Sequence, residues 1–466
     1  MINYIIKIVL IASMITSLAP QRESRADDGY MEAINGADRD FTYGYSQAEK
    51  VRRFDQNIED RNMKEGGEKV PPAAEGDGLP WRFSKSFRVS TLYDSNLFYS
   101  RTDTKDDVLF IYSPSVGASI GTPNESRFFL RAFYDLNYVD YVEMQKFSRF
   151  NQALRFQAGL HQPKFDLIFS NVFKPASARE TGERTELAAS NNSRVIAHSD
   201  GASLSGNYHL TPKVDLTASY NFNLLIFPVA SNRNNPGVNL FSYQQNSISP
   251  GIEYKYSPKT TFYFNSTAGM TDYFEGGNLS SKNYGVLAGL RNRLTPKTDV
   301  TLEAGYGWTD YLTGGIPGLE GPRYGAILRR QLSPKISATL SASQSVNEAF
   351  DFTQLSSEAD TFKVVSTILR TDVKWNVNEP MLVEAFVSAQ DNTRDSLYTM
   401  TDPENDTLTF TRSLEDHVYT WGLNCQWRTK GSWTYFASAE SVTKFSSFKN
   451  LQYDEQKIAG SLRMDF

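Results

Sequence analysis

A chain of 466 residues with 13% aromatic and 22% charged side chains suits a strand-rich protein with an interfacial aromatic belt better than a helical bundle. A formal net charge of -5 without any Lys/Arg block gives no footing for nucleic acid. No stretch beyond residue 20 offers the roughly 20 apolar residues that a membrane helix needs, so any membrane span must be built from strands.

In chain order, Met1 to Lys7 is a short positive segment, Ile8 to Ala19 is apolar, and Ser24-Arg25-Ala26 presents small residues where a signal peptidase reads. Residues 1–26 are therefore expected to be a signal peptide, and no cysteine stands near the cleavage site to carry a lipid. Residues 27–80 are polar and acidic. They hold one helix candidate, from 46 to about 61, with Ser46 and Glu49 at capping-box spacing and Val51, Phe54 and Ile58 on one side. Three apolar residues bury too little to offset ordering entropy, so the expectation is a largely unstructured periplasmic leader, with docking or plugging as the alternative.

From residue 81 onward a turn keeps returning: Thr122-Pro123, Gln162-Pro163, Thr211-Pro212, Ser257-Pro258, Thr295-Pro296, Ser333-Pro334, Glu379-Pro380 and Lys430-Gly431. Proline cannot donate to a sheet ladder and favours a tight turn beside polar neighbours, so each repeat reads as one long hairpin. Alternation fills the intervals. Val300, Leu302, Ala304, Tyr306 and Trp308 face one way, while Asp299, Thr301, Glu303, Gly305 and Gly307 face the other. A soluble sandwich would alternate too, but its strands average about 5 to 6 residues, whereas a tilted membrane strand needs about 9 to 11, and these runs meet that length. Trp375, Trp427 and Trp433 beside short turns, with Trp308 and Tyr311 at the other strand ends, match interfacial anchoring.

Two strands before the first turn and two more for each of the eight turns give eighteen. Eighteen is expected for a closed antiparallel transmembrane barrel over 81–466, with both termini periplasmic. Sixteen is the alternative if 81–100 lies outside the barrel and its neighbour is irregular. The outer connections then include 176–193, 227–241, 312–323 and 391–417. The lone Cys425 is expected to be an inert strand residue facing lipid. Ile458, Gly460, Leu462, Met464 and Phe466 form an alternating edge ending on an aromatic residue. That edge resembles the last strand of bacterial outer-membrane proteins, read by the barrel assembly machinery.

Tyr93-Asp-Ser-Asn-Leu-Phe-Tyr99, then a polar loop and Tyr112-Ser-Pro-Ser-Val-Gly-Ala118, resembles the first hairpin of the family called beta-barrel porin 2. The resemblance extends more loosely to Phe466. It implies an outer-membrane barrel associated with exopolysaccharide or capsule export, with a periplasmic polysaccharide-export protein as partner. It supplies no catalytic residues.

Function should show on inward positions. Arg291, Arg293, Arg329, Arg370, Lys374 and Arg428 precede short turns, Lys457 and Arg463 sit on the last strand, and Arg131 and Arg155 extend the set. Such a basic rim in the periplasmic half of the lumen would attract an anionic polysaccharide or solute. The competing reading is a ladder of structural ion pairs, with Arg293 opposite Asp299, Lys374 opposite Glu384 and His209 opposite Asp215. Inward Phe129, Phe133, Phe386 and Phe436 offer a sliding surface for sugar rings, or simply fill space.

No serine is spaced to pair with any of the four histidines, which argues against an enzyme, and no cofactor motif appears. Asp402, Glu404 and Asp406 could take calcium but read better as a solvated loop. The sequence thus points to an outer-membrane channel among lipids. The expected role is passive export of an exopolysaccharide; the alternatives are a small-solute diffusion porin or a structural barrel with a shut lumen.

Overall fold

The computed structural model describes residues 81–96, 104–121, 126–145, 148–177, 196–226, 242–274, 280–312, 318–351, 360–378, 380–400, 408–429, 433–446 and 452–466. The expected signal peptide, the leader with its helix and the acidic run 402–406 lie outside the described residues. Eighteen strands form one sheet: β1 (Trp81–Asp94), β2 (Asp107–Ile120), β3 (Phe128–Tyr141), β4 (Arg149–His161), β5 (Phe165–Ser177), β6 (Ile196–Thr211), β7 (Val214–Ile226), β8 (Tyr243–Ser257), β9 (Thr260–Tyr273), β10 (Ser281–Thr295), β11 (Thr298–Tyr311), β12 (Leu319–Ser333), β13 (Ile336–Asp351), β14 (Asp360–Asn378), β15 (Met381–Met400), β16 (Leu408–Arg428), β17 (Trp433–Ser446) and β18 (Tyr453–Asp465).

Every strand pairs antiparallel with its sequence neighbours, and β1 pairs with both β2 and β18, so the sheet closes on itself. The first run belongs to the barrel, which settles eighteen strands over sixteen. At the seam Phe87, Val89 and Tyr93 meet Met464, Leu462 and Ile458. The Phe466 amide donates to the Lys85 carbonyl at 2.9 Å, and its ring is 70% exposed on the outside. Closure leaves no unpaired edge, which a hydrocarbon solvent demands.

The tight turns repeat one device. Pro212 and Lys213 alone separate β6 from β7; Pro258 and Lys259, Pro296 and Lys297, and Pro334 and Lys335 do the same for the next three hairpins. Proline has no N–H, and the preceding hydroxyl accepts from the lysine amide: Thr211 at 3.2 Å, Ser257 at 3.2 Å, Thr295 at 3.2 Å and Ser333 at 3.3 Å. A register shift accompanies each of these turns. The turn carbonyls of Lys164, Lys213, Lys259, Lys297 and Lys335 accept from His209, Lys255, Arg293, Gln331 and Asn376, stitching successive hairpins together.

Prolines inside strands fall where the ladder has a gap. The β2–β3 register omits Ser113 and Pro114, and the β8–β9 register omits Ser249 and Pro250. Pro322 lies before the β12–β13 ladder begins at Tyr324. A residue that cannot donate is placed where nothing asks it to.

Facing follows the alternation. The large exposed apolar side chains include Leu302, Tyr306, Leu216, Tyr220, Trp421, Leu423 and Trp427, all on one face of their strands. Cys425 shares that face, opposite Val383 and Ala437. Trp375, Trp427 and Trp433 stand exposed beside the short turns, and Trp308 stacks on Tyr284 near the opposite end. Apolar atoms on the outside of a closed sheet need a hydrocarbon solvent, so the barrel is transmembrane.

Two expected outer connections differ. Position 323 is already inside β12, because a Gly- and Pro-rich stretch that reads as loop pairs with β11 from Leu319. Strand β15 runs to Met400 and β16 begins at Leu408, so most of 391–417 is ribbon rather than loop. Beyond the apolar band both faces of a hairpin are wet, and pairing continues on backbone hydrogen bonds and polar cross-strand neighbours.

Candidate functional site: the lumen wall

The inward face carries three stacked columns built from sequence-distant residues. On neighbouring strands Gly117, Phe133 and Arg155 lie directly abreast. A Cβ at Gly117 would stand 2.5 Å from the Phe133 ring, so the ring lies flat where glycine leaves room. The Arg155 guanidinium sits 5.5 Å from the ring centroid and reaches Asp135 at 3.0 Å. Tyr263 covers Gly289 in the same way, with Arg291 4.4 Å above it and held by Glu253 at 3.0 Å. The Tyr263 hydroxyl donates to Glu303. Phe386 covers Gly422, with Arg370 4.3 Å above and bound to Asp372 at 2.7 Å.

Of the two readings of the inward rings, sliding surface or space filling, the geometry at Phe133 and Phe386 favours the filling of space. Each of these rings has glycine beneath and a guanidinium above. Phe436 lies 5.4 Å from Arg88, and Phe129 is 1% exposed, covering Gly159 and stacked 5.7 Å from His161. Phe129, Phe133 and Phe386 thus fill glycine gaps, and Phe133, Phe386 and Phe436 each lie against an arginine.

Near the short turns the wall carries an ionic belt. His161 meets Asp166 at 2.7 Å, Asp166 meets His209 at 3.3 Å, His209 meets Asp215 at 2.9 Å, and Lys255 meets Asp215 at 2.6 Å, spanning β4 to β8. Arg293 pairs with Asp299 at 3.2 Å, Lys374 with Glu384 at 3.0 Å and Arg463 with Asp465 at 2.7 Å. The three cross-strand pairs expected from hairpin symmetry are therefore present. Arg329 stands across β11–β12 from the same Asp299. Arg131 is 3% exposed, and it and Arg428 make contacts of their own.

Lys457 does not belong to this periplasmic group. It lies at the far end of the barrel, 3.2 Å from Glu455 and 3.9 Å from Asp94, because β18 descends from that end and only its last residues reach the turns. Close to it Leu92, Leu109, Ile111, Val139, Tyr141 and Ala459 form a buried apolar cluster against which Met144 packs. Asp107 accepts from the amides of Val108, Glu143 and Met144 at 2.7, 3.1 and 3.0 Å, drawing the β3–β4 connection onto that cluster. The inward face is thus not wet throughout: the outer part of the β1–β3 and β18 wall is packed.

One inward arginine escaped sequence reading. Arg323 was hidden in an apparent loop; the signal for it is parity, since it shares its odd number with Gly325 and Arg329 on one alternating run. Of the remaining histidines, His417 bonds Asp391 at 3.1 Å at the outer end and His198 lies opposite Ile226 on the lipid side. Leu462 and Met464 face outward on β18.

A closed eighteen-stranded sheet, apolar outside and lined within by ions, glycines and hydroxyls, defines a transmembrane β-barrel. No family model matches the chain, and no curated protein matches it. Among solved structures it is similar to the outer-membrane protein opdK from Pseudomonas aeruginosa, with TM-score 0.46, 9% identity and coverage of 83% of this chain and 99% of that one. It is also similar to Acinetobacter baumannii OccAB2, with TM-score 0.46, 10% identity and coverage of 84% and 100%. The siderophore receptor PirA from Acinetobacter baumannii gives TM-score 0.43, 8% identity and coverage of 84% and 81%.

Proposed function

We propose that the barrel is a passive channel for small hydrophilic solutes. The observation that carries this reading is the covering of the inward rings. A channel for a sugar polymer gains from open aromatic faces on which successive rings stack, and here arginines occupy those faces. Between β9 and β13 the inward positions are mostly short or polar, including Asn265, Thr267, Gly285, Gly305, Gly307 and Ser343. Such a wall leaves cross-section for water and offers a solute no deep well, the condition for rapid transit. Movement would follow the concentration gradient.

Purified protein reconstituted in planar bilayers should give discrete, ohmic single-channel steps. In liposome swelling, permeation should fall steadily from monosaccharides to larger oligosaccharides. Absence of any conductance from a correctly folded barrel would favour a structural role. Translocation of an anionic polysaccharide across the same liposomes, without size-graded uptake of small sugars, would favour polymer export.

A further inference from the structure

The inward arginines divide into two kinds. Arg155, Arg291, Arg293, Arg370 and Arg463 each hold a carboxylate within 3.2 Å. Arg323 has no ion pair, hydrogen bond or ring partner among the described residues. It is solvent-exposed, directly across from Gly305, on the most glycine-rich part of the wall.

Its position is built. A Cβ at Gly307 would fall 2.8 Å from Nε and 2.9 Å from both Cζ and Nη2, and one at Gly285 would fall 3.9 Å from Nη1. The guanidinium therefore lies along the wall in space that two glycines vacate. The nearest acidic group along the ladder, Glu303, sits two positions toward the turns and accepts from Tyr263 instead. A cation left without its counter-ion, while Arg291, Arg293 and Arg370 have theirs, contributes uncancelled positive potential to the lumen. Low-dielectric walls focus that potential along the pore. The fork of N–H groups fits two oxygens of one anion at once, which a point charge does not.

We infer that Arg323 is the anion-docking residue of the lumen, taking a small oxyanion of the carboxylate type from solution as it passes. This rests on the channel reading and adds a sign and a residue to it. Arg329, also without a bonded partner among the described residues, is offset by Asp299 across the β11–β12 ladder and contributes less.

The test uses the full-length barrel in planar bilayers, with potassium chloride and potassium acetate as probes. Arg323→Gln should lower the anion-to-cation permeability ratio at least about threefold and abolish saturation of acetate current. Arg293→Gln removes the same formal charge from a paired site and should change the ratio less than about half as much. Arg323→Lys should keep the chloride ratio but lose the acetate saturation, since the charge remains and the fork is gone. If Arg323→Gln does not fold, as judged by heat-modifiable gel mobility, Gly307→Ala crowds the same guanidinium and should also lose acetate saturation. Ion selectivity and acetate saturation unchanged in the conducting Arg323→Gln or Gly307→Ala barrel would overturn the inference while leaving the channel intact. A wild-type barrel without conductance would overturn the channel itself.

Discussion

At the scale of single residues the inward wall works by filling the gaps that glycines leave. Phe133, Tyr263 and Phe386 look like open binding surfaces when read as inward aromatics, and only the register shows that each faces a glycine. That pairing joins positions such as 263 and 289, which no local pattern links, so it was illegible in the sequence; the ion pairs at Arg293, Lys374 and His209 were legible because they sit symmetrically about a turn. A side chain at the glycine should displace the ring. Gly289→Val is expected to destabilise the barrel by about 1–3 kcal/mol, read as a lower urea midpoint in lipid vesicles, because overpacking forces Tyr263 off its seat and Arg291 with it. Gly460, with no atom within 4 Å of its would-be Cβ, provides the control: Gly460→Ala should be near neutral. At the ionic belt Asp215 is shared by His209 and Lys255 and its side chain is 5% exposed. Removing a largely desolvated carboxylate strands both partners, so Asp215→Ala should cost more than Asp299→Ala, whose side chain is 56% exposed, in the same unfolding measurement.

At the scale of the hairpin, turn chemistry and period-2 alternation set nearly everything. Proline beside a hydroxyl residue marked the short connections, and the structure adds the reason for the hydroxyl: it receives the amide that follows proline. Thr295→Ala should therefore loosen the β10–β11 turn by about 0.5–1 kcal/mol, the net worth of one hydrogen bond. Strand limits at the outer end were less legible. Pro322 among glycines reads as loop, yet it fits a strand whose partner ladder starts two residues later, and Asp391-Asn-Thr-Arg-Asp-Ser396 in β15 is a polar run with no apolar alternation to betray it. The lipid face gives the sharper prediction. Leu302→Arg puts a charge in hydrocarbon and should cost about 2–4 kcal/mol, whereas Thr301→Arg, one residue away and facing inward, should fold nearly as well as wild type.

At the scale of the whole molecule, closure by β1 on β18 and the opposite solvents on its two faces account for how a barrel with few buried apolar side chains among its described residues holds a single fold. The packed patch around Leu109 and Tyr141 makes the lumen asymmetric, with its polar, glycine-lined wall on the side of β9 to β13. The direct test of the two-solvent arrangement is single-cysteine labelling along β11 in a Cys425→Ser background, with the folded barrel in intact lipid vesicles made leaky to a small membrane-impermeant maleimide. Cysteines at positions 301, 303, 305 and 307 should react rapidly, and those at 300, 302, 304 and 306 should remain protected until detergent is added. Reaction at the even positions, or equal reaction at both sets, would contradict a barrel with lipid outside and water within.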